Sequence, residues 1–230
     1  MKKLVVLSGA GISQESGIRT FRDMGGLWEE YDVEEVCTPQ AWEQNPELVM
    51  KFYNDRRKQL YGCKPNKGHF GLAELERDFD VEIITQNIDD LHEQAGSSKV
   101  LHLHGELKKA RSSVDPLLVY DMDGWELKFG EKCEHGSQLR PHVVWFGEPV
   151  PAIKEAMQIA EQADIFVIVG TSMNVYPAAG LLNYVKPGVP VFCIDPNPVH
   201  IYSNITFIKE KAGTGVVKLL SLLKERGFME

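Results

Sequence analysis

The chain has 230 residues, of which 43% are hydrophobic, and a formal net charge of -8. That length buries a full core, and the acidic balance lacks the basic excess that non-specific DNA or RNA binding requires. No apolar run approaches the roughly 20 residues that cross a bilayer, and Met1-Lys-Lys leads into a strand pattern with no cleavage signature, so a cytoplasmic location without nucleic-acid or membrane partners is expected.

In chain order, the first pattern is a hydrophobic strand at 4–7 that runs into Ser8-Gly-Ala-Gly11. Gly9 and Gly11 lack a Cβ, so the backbone can turn sharply and bring its N–H groups against a pyrophosphate. The dinucleotide fingerprint wants a third glycine three residues later, where Gln14 stands, and an ordinary tight turn after a buried strand competes with the phosphate loop. Residues 28–62 carry no strand signal but contain a helix at 46–57, opened by Asn45 as cap and Pro46 at the first position. A helix at 65–77 and strands at 81–85 and 100–103 follow. Residues 107–139 are polar and weakly patterned. Beyond them come a helix at 151–163, a strand at 165–169, a helix at 176–185 and strands at 189–194 and 205–208. The last element is a helix at 215–226 with Val216, Leu219, Leu220 and Leu223 on one side. Alternating strands and helices predict an α/β fold, a Rossmann-like doubly wound parallel sheet, with the two interrupting segments folding into a smaller inserted domain.

Three further stretches carry polar chemistry just after strands, at the sheet edge where such folds bind ligands. Gln86, Asn87 and Asp89 offer donors and acceptors for an amide or ribose, or a helix cap. His102 and His104 fall on one side of an extended segment, and His104, before Gly105, is placed as a general base because imidazole titrates near neutral pH. Gly170-Thr-Ser172 forms a small-residue turn that gives N–H groups and hydroxyls to a phosphate or ribose. Cys37, Cys63, Cys133 and Cys193 are scattered without the spacing of a metal knuckle or redox pair, so reduced thiols are expected.

Together, Gly9-Ala-Gly-Ile-Ser13 with Thr20-Phe-Arg22, Gln86-Asn-Ile-Asp89, His104-Gly105 and Gly170-Thr-Ser172 closely resemble the sirtuin family of NAD-dependent protein lysine deacylases, in order and in spacing over nearly the whole chain. The resemblance implies that Gly9, Ala10, Gly11, Thr20, Phe21, Arg22, Trp28, Gln86, Asn87, Ile88, Asp89, Gly170, Thr171 and Ser172 contact NAD, with Asp195 and Ala212 at its adenosine end. It implies that residues 1–27, 63–106 and 140–230 make the NAD-binding domain and residues 28–62 and 107–139 the small one. It further implies catalysis by His104 with Asn87: the acyl-lysine oxygen attacks the nicotinamide ribose, nicotinamide leaves, and His104 deprotonates a ribose hydroxyl on the way to O-acyl-ADP-ribose. Acylated lysines of proteins or peptides are then the partners of a monomer. Mono-ADP-ribosyl transfer and a non-catalytic NAD-sensing module are the rival readings.

Two departures from the family pattern sharpen the expectation. Most sirtuins hold a structural zinc with two Cys-x-x-Cys pairs, whereas residues 111–138 here contain Cys133 alone, so no structural zinc and no other metal is expected. Leu117, Leu118, Val119, Trp125, Leu127 and Phe129 are then the side chains expected to pack the small domain. Second, Tyr53 and Arg56, at i and i+3 on one helix face, can converge on a carboxylate. With Arg19 where many sirtuins have proline, they resemble the sirtuin class that removes succinyl and malonyl groups. Pro141-His-Val-Val-Trp-Phe-Gly-Glu148 also matches the family, and Val144, Trp145, Phe146 and Gly147 are expected to bind the substrate peptide by strand addition.

Overall fold

The structure is a computed structural model and describes residues 1–19, 31–173, 175–197 and 205–229. Thr20, Phe21, Arg22 and Trp28, expected at NAD, lie outside the described residues. Strand β1 (Lys3–Ser8) is the middle of a six-stranded sheet with β2 (Asp80–Thr85), β3 (Val100–His102), β7 (Ile165–Val169), β8 (Val191–Ile194) and β9 (Ile205–Ile208), in the order β3-β2-β1-β7-β8-β9. Every pairing is parallel, with Leu4 opposite Val81 on one side and Ile165 on the other. The run Leu4-Val-Val-Leu7 is apolar without alternation because both faces of a parallel sheet are covered, and successive side chains serve opposite layers. Leu4 and Val6 join Ile83, Val167 and Leu219 under helices α4 (Lys67–Glu74) and α7 (Ala212–Glu225). Val5 and Leu7 join Ile84, Phe166 and Ile168 under α6 (Ile153–Glu161).

The chain leaves β1 toward β2 and β3 on one side and later fills β7, β8 and β9 on the other. The order therefore reverses between β1 and β7, the point at which folds of this kind bind ligands beyond the carboxyl ends of the strands. The expected helix at 176–185 is a 3-10 helix over Ala178–Tyr184, a turn with poorer hydrogen-bond geometry that ends at Val185 in extended conformation.

The weakly patterned segment 107–139 proves to contain strands. With its flanks it forms β4 (Gly105–Ser112), β5 (Val119–Asp121) and β6 (Leu139–Val143), an antiparallel sheet in the order β5-β4-β6. Its strands read as polar because burial on them is broken: β5 is half-exposed or exposed throughout, and Lys108 and Lys109 of β4 pair with acidic side chains. Of the side chains expected to pack this region only Leu127 is buried, at 2% exposure. Leu117 is 87% and Phe129 61% exposed, Val119 and Trp125 are exposed, and Leu118 is half-buried.

Against this sheet lie three helices, α1 (Val33–Val36), α2 (Pro39–Gln44) and α3 (Pro46–Tyr61). Asn45 caps α3 as expected, its side chain accepting from Leu48 N–H, and Pro46 occupies the first turn, where its missing N–H costs nothing. Fully buried Arg57 reaches from α3 to the carbonyls of Leu107 (2.5 Å) and Trp125 (2.8 Å) and to Asn54 Oδ1 (2.7 Å). The helices also bury Val49, Phe52 and Tyr53 against Leu107, Val143 and Trp145.

Candidate active site

The loops at the carboxyl ends of β1, β2, β7 and β8, together with α3 and the segment after β6, enclose one cavity of about 740 Å³. That is the size of a ligand cleft. Its wall contains every described residue expected at the site: Gly9, Ala10, Gly11, Gln86, Asn87, Ile88, Asp89, His104, Gly170, Thr171, Ser172, Asp195 and Ala212, together with Tyr53, Arg56, Val144, Trp145, Phe146 and Gly147. His102 is not among them.

The glycine loop differs from the expected phosphate cradle in one physical respect. Gly9 N–H donates to the Val169 carbonyl (3.0 Å) and Gly11 N–H to the Gly170 carbonyl (2.8 Å), so neither amide is turned to an anion. The glycines are required by contact between the two loops. A Cβ on Gly9 would lie 2.7 Å from Thr171 Cβ, one on Gly11 2.8 Å from Gly170 Cα, and one on Gly170, whose φ is +62°, 2.3 Å from Ile12 N. Gln86 Nε2 then donates to Thr171 Oγ1 (3.0 Å), tying the β2 loop to the β7 loop.

The two histidines of His102-Leu-His104 hold consecutive carbonyls of the β2 loop. His104 Nδ1 is 3.0 Å from Gln86 O, and His102 Nδ1 is 2.9 Å from Asn87 O. A carbonyl only accepts, so each Nδ1 carries a proton. In His104 this leaves the Nε2 lone pair as the basic site, and burial lowers its pKa, partly offset by the Gln86 carbonyl, so the ring is neutral at pH 7. In His102 burial works in the same direction, but Glu93, 2.7 Å from Nε2, outweighs it and raises the pKa. One histidine thereby presents a neutral ring at the cavity wall, and the other is a half-buried strut outside it.

Below them, Ser13 Oγ donates to Asp89 Oδ2 (3.0 Å) and accepts from Asn87 Nδ2 (3.1 Å), while Leu91 N–H donates to Asp89 Oδ1 (3.2 Å). Burial raises the Asp89 pKa, and these two donors oppose it. At the other end of the cavity Asp195 Oδ1 accepts from Asn197 N–H (2.8 Å), and Glu15 accepts from Gly213 N–H (2.7 Å) in the first turn of α7, placing a carboxylate at the positive end of the helix.

On the α3 side the Tyr53 hydroxyl accepts from Trp145 Nε1 (3.1 Å) and lies 3.3 Å from Cys37 Sγ. Burial pushes the Cys37 thiol up to about 11 and Tyr53 well above its usual range, so both keep their protons. Arg56 stacks over Phe52 with its guanidinium carbon 5.5 Å from the ring centroid. Burial lowers its pKa, and the positive charge of Arg19 acts in the same sense.

The extended run after β6 departs from the expected peptide-pairing strand. Val144 N–H donates to His104 O (2.9 Å), Trp145 N–H to Glu148 Oε2 (2.7 Å) and Phe146 N–H to Cys37 O (2.9 Å), so these three donors are spent inside the chain. Glu148 also binds Arg140 (2.7 Å) and Arg111 (3.0 Å), and Arg140 stacks on Trp145. Burial works against the Glu148 carboxylate, but its bonds to Arg140 and Trp145 win and hold its pKa below the usual value. Phe146, 44% exposed, stands at the mouth of the cleft while Trp145 is buried.

Sequence reasoning gave no role to Ser13, Gln14, Cys37, Asn197 or Lys211, all of which line the cavity. Ser13 lay within the quoted glycine motif. Cys37 had no local signal, because it reaches Tyr53 only through the packing of α1 on α3. Among the described residues no cluster of three or more His, Cys, Asp or Glu side chains is arranged to hold a metal ion.

A family profile described as "Sir2 family" matches residues 9–177. A Bacteroides thetaiotaomicron protein named NAD-dependent protein deacylase is 56% identical to this chain, covering 97% of it and 98% of the relative. A Helicobacter pylori protein of the same name is 52% identical, covering 98% and 99%. A Sir2 homolog solved as an NAD complex is 40% identical with a TM-score of 0.87, covering 98% of this chain and 90% of that one.

Proposed function

The chain belongs to the Sir2 (sirtuin) family and is an NAD-dependent protein lysine deacylase, and from that premise we propose that its preferred acyl groups end in a carboxylate, as succinyl and malonyl do. The observation that carries this reading is that Arg56, Arg19 and Tyr53 line the same cavity as His104. Burial, and after it the positive charge of Arg19, work against the Arg56 guanidinium, so an anion beside Arg56 relieves both. The Tyr53 oxygen already receives the Trp145 N–H, so its own proton is directed either to Cys37 or to an acyl carboxylate, depending on which way the thiol turns. Acetyl-lysine, having no charge at that end, gains nothing from the pair.

NAD is the co-substrate and supplies the ADP-ribosyl group that accepts the acyl group as nicotinamide departs. The residues present fit it. Gly9, Ala10 and Gly11 with Gly170, Thr171 and Ser172 line one stretch of the cavity wall, where Thr171 and Ser172 offer two hydroxyls for a phosphate or ribose. In this reading Asp195 and Ala212 hold the adenosine end and Gln86 the middle, while Asn87, Ile88 and Asp89 receive the carboxamide end. His104 Nε2, neutral and turned to the cavity, takes the proton of a ribose hydroxyl, and Gln86 O keeps its other nitrogen protonated while it does so. Val144, Trp145, Phe146 and Gly147 line the entry of the acyl-lysine. With the amides of 144 to 146 already bonded inside the chain, a peptide there meets their carbonyls or the residues from Gly147 onward.

The same reading places a monomeric enzyme in the cytoplasm, in keeping with four free thiols, and lets residues 28–62 and 107–139 work as one small unit without zinc. The decisive experiment compares succinyl- and acetyl-lysine peptides with NAD and the Arg56→Met variant. The expected result is a loss of succinyl activity of at least about tenfold, one charge-assisted hydrogen bond being worth that much, with acetyl activity changed little. An unchanged ratio of the two would refute the carboxylate pocket.

A further inference from the structure

We propose that His102 is a positioning residue that works as an imidazolium: with a proton on each nitrogen it ties the Asn87 carbonyl to α5 (Leu91–Gln94), and activity falls on the alkaline side when that charge is lost. The proposal rests on the reading above that Asn87 and Asp89 receive the carboxamide end of NAD.

The sheet sets the place of the ring. His102 is the last residue of β3, opposite Thr85 at the end of β2, and Leu103 N–H donates to the Thr85 carbonyl (2.9 Å), so the side chain lies beside the loop that begins at Gln86. Two acceptors meet it there, Asn87 O at 2.9 Å from Nδ1 and Glu93 Oε1 at 2.7 Å from Nε2. A carbonyl and a carboxylate only accept, so a ring that satisfies both carries two protons and a positive charge. The side chain is 8% exposed, and little water competes for either bond.

The titratable groups around the ring favour that charge. Glu93 on α5, Asp89 on the loop after β2 and Glu106 on β4 are acidic. His92 on α5 is fully buried, and burial, ahead of the charges of His69 and His102, keeps it neutral, so it adds no opposing charge. Burial works against the His102 cation, but Glu93, the Asn87 carbonyl and Glu106 outweigh it, and the ring titrates above the ordinary histidine value of about 6.5. The charge is therefore present at lower pH and is lost as pH rises through that raised value.

A neutral ring has one proton for two acceptors. On Nδ1 it keeps the Asn87 carbonyl and turns a lone pair toward Glu93, whose side chain, 40% exposed, then turns to water. On Nε2 it keeps Glu93 and turns a lone pair toward the carbonyl of Asn87, a residue only 6% exposed. In both cases the loop that carries Asn87 and Asp89 loses one of its ties. His104, two residues on, has its pKa moved the other way by burial, and only its neutral ring takes a proton. The two histidines thus bracket the working range, His104 on the acid side and His102 on the alkaline side. A plain ion pair joining α5 to β3 would use the same contact but would leave the pH profile of turnover to other groups, and that difference supplies the readout.

The test follows kcat/KM for an acyl-lysine peptide with NAD from about pH 6 to about pH 9, beside the NMR titration of the His102 ring. An alkaline limb that coincides with the His102 titration is expected, and undiminished activity at a pH where the ring is neutral overturns the proposal. Glu93→Gln removes the counter-charge from an exposed side chain. It should move the limb to lower pH and leave the variant roughly threefold less active than wild type at about pH 8, whereas a limb at unchanged pH counts decisively against the clasp. His102→Gln cannot ionise. It should start about tenfold below wild type at neutral pH, the loss expected for a hydrogen bond from a charged donor, and fall no further toward pH 9; a normal alkaline limb in this variant also overturns the proposal. Should His102→Gln fail to fold, the Glu93→Gln profile decides alone. Near-full activity in Asn87→Ala would remove the reading of the cavity and this proposal with it, while a limb indifferent to Glu93 and His102 removes this proposal only.

Discussion

In the six-stranded sheet, Phe166, Val167 and Phe192 are fully buried among other hydrocarbon side chains, whereas beside the three-stranded sheet a guanidinium, that of Arg57, is fully buried together with Phe52. Arg140 and Arg111 are also buried there, on Glu148 and on the face of Trp145. Hydrophobic burial is non-directional and tolerates many arrangements of similar volume. A guanidinium held by backbone carbonyls or a carboxylate fixes one arrangement and is costly when a partner is removed. The parallel sheet thus carries stability, and the arginine-clamped side fixes the position of Trp145, Tyr53 and that wall of the cleft. This difference also explains how a sheet with exposed Leu117 and Phe129 keeps its shape.

The comparison can be broken by experiment. Phe192→Ala should cost roughly 3–5 kcal/mol in urea unfolding, by the same amount at pH 5 and pH 8, since no titratable group is lost. Glu148→Gln should cost about 3 kcal/mol by leaving buried arginines short of a counter-charge, and here pH matters. The folded pKa of Glu148 is depressed, so its contribution is complete above the ordinary glutamate value of about 4.3 and is lost as pH falls through the folded value. The variant should therefore lose part of the acid sensitivity of the wild type, and equal acid sensitivity would count against the clamp. Gly170→Ala should cost about 2 kcal/mol from the left-handed backbone alone, and by forcing the β1 and β7 loops apart it should raise the KM for NAD. Normal NAD kinetics in that variant would show that the interlock can relax. The smallest effect is expected for Leu117→Ser, within about 0.5 kcal/mol; a larger loss would mean that the exposed face of the small sheet is covered by something in solution.

How much could be read in advance depended on how local the physics is. The apolar runs at 4–7 and 165–169 announced buried parallel strands, because hydrocarbon on both faces leaves a continuous signature in the chain. The cap and proline opening α3 were equally legible, being set within four residues. Strands β4 and β5 were not, since their pairing is with each other and with β6, and their side chains show little alternation. The expectation that Gly9 and Gly11 aim their amides at a phosphate came from a local rule, yet those amides bond to Val169 and Gly170, about 160 residues away in sequence.

The sequence by itself determined the α/β architecture, the family and the set of residues that gather at the crevice, because periodicity, caps and motif order are properties of short stretches. Only the tertiary structure decided the proton positions and the clamps. That His104 leaves its lone pair on Nε2 and that Tyr53 shares its hydroxyl with Cys37 and Trp145 depend on which carbonyl, thiol or indole a distant segment brings within about 3 Å of the side chain. Hydrogen-bond direction is fixed by the partner, and here nearly every partner lies far along the chain.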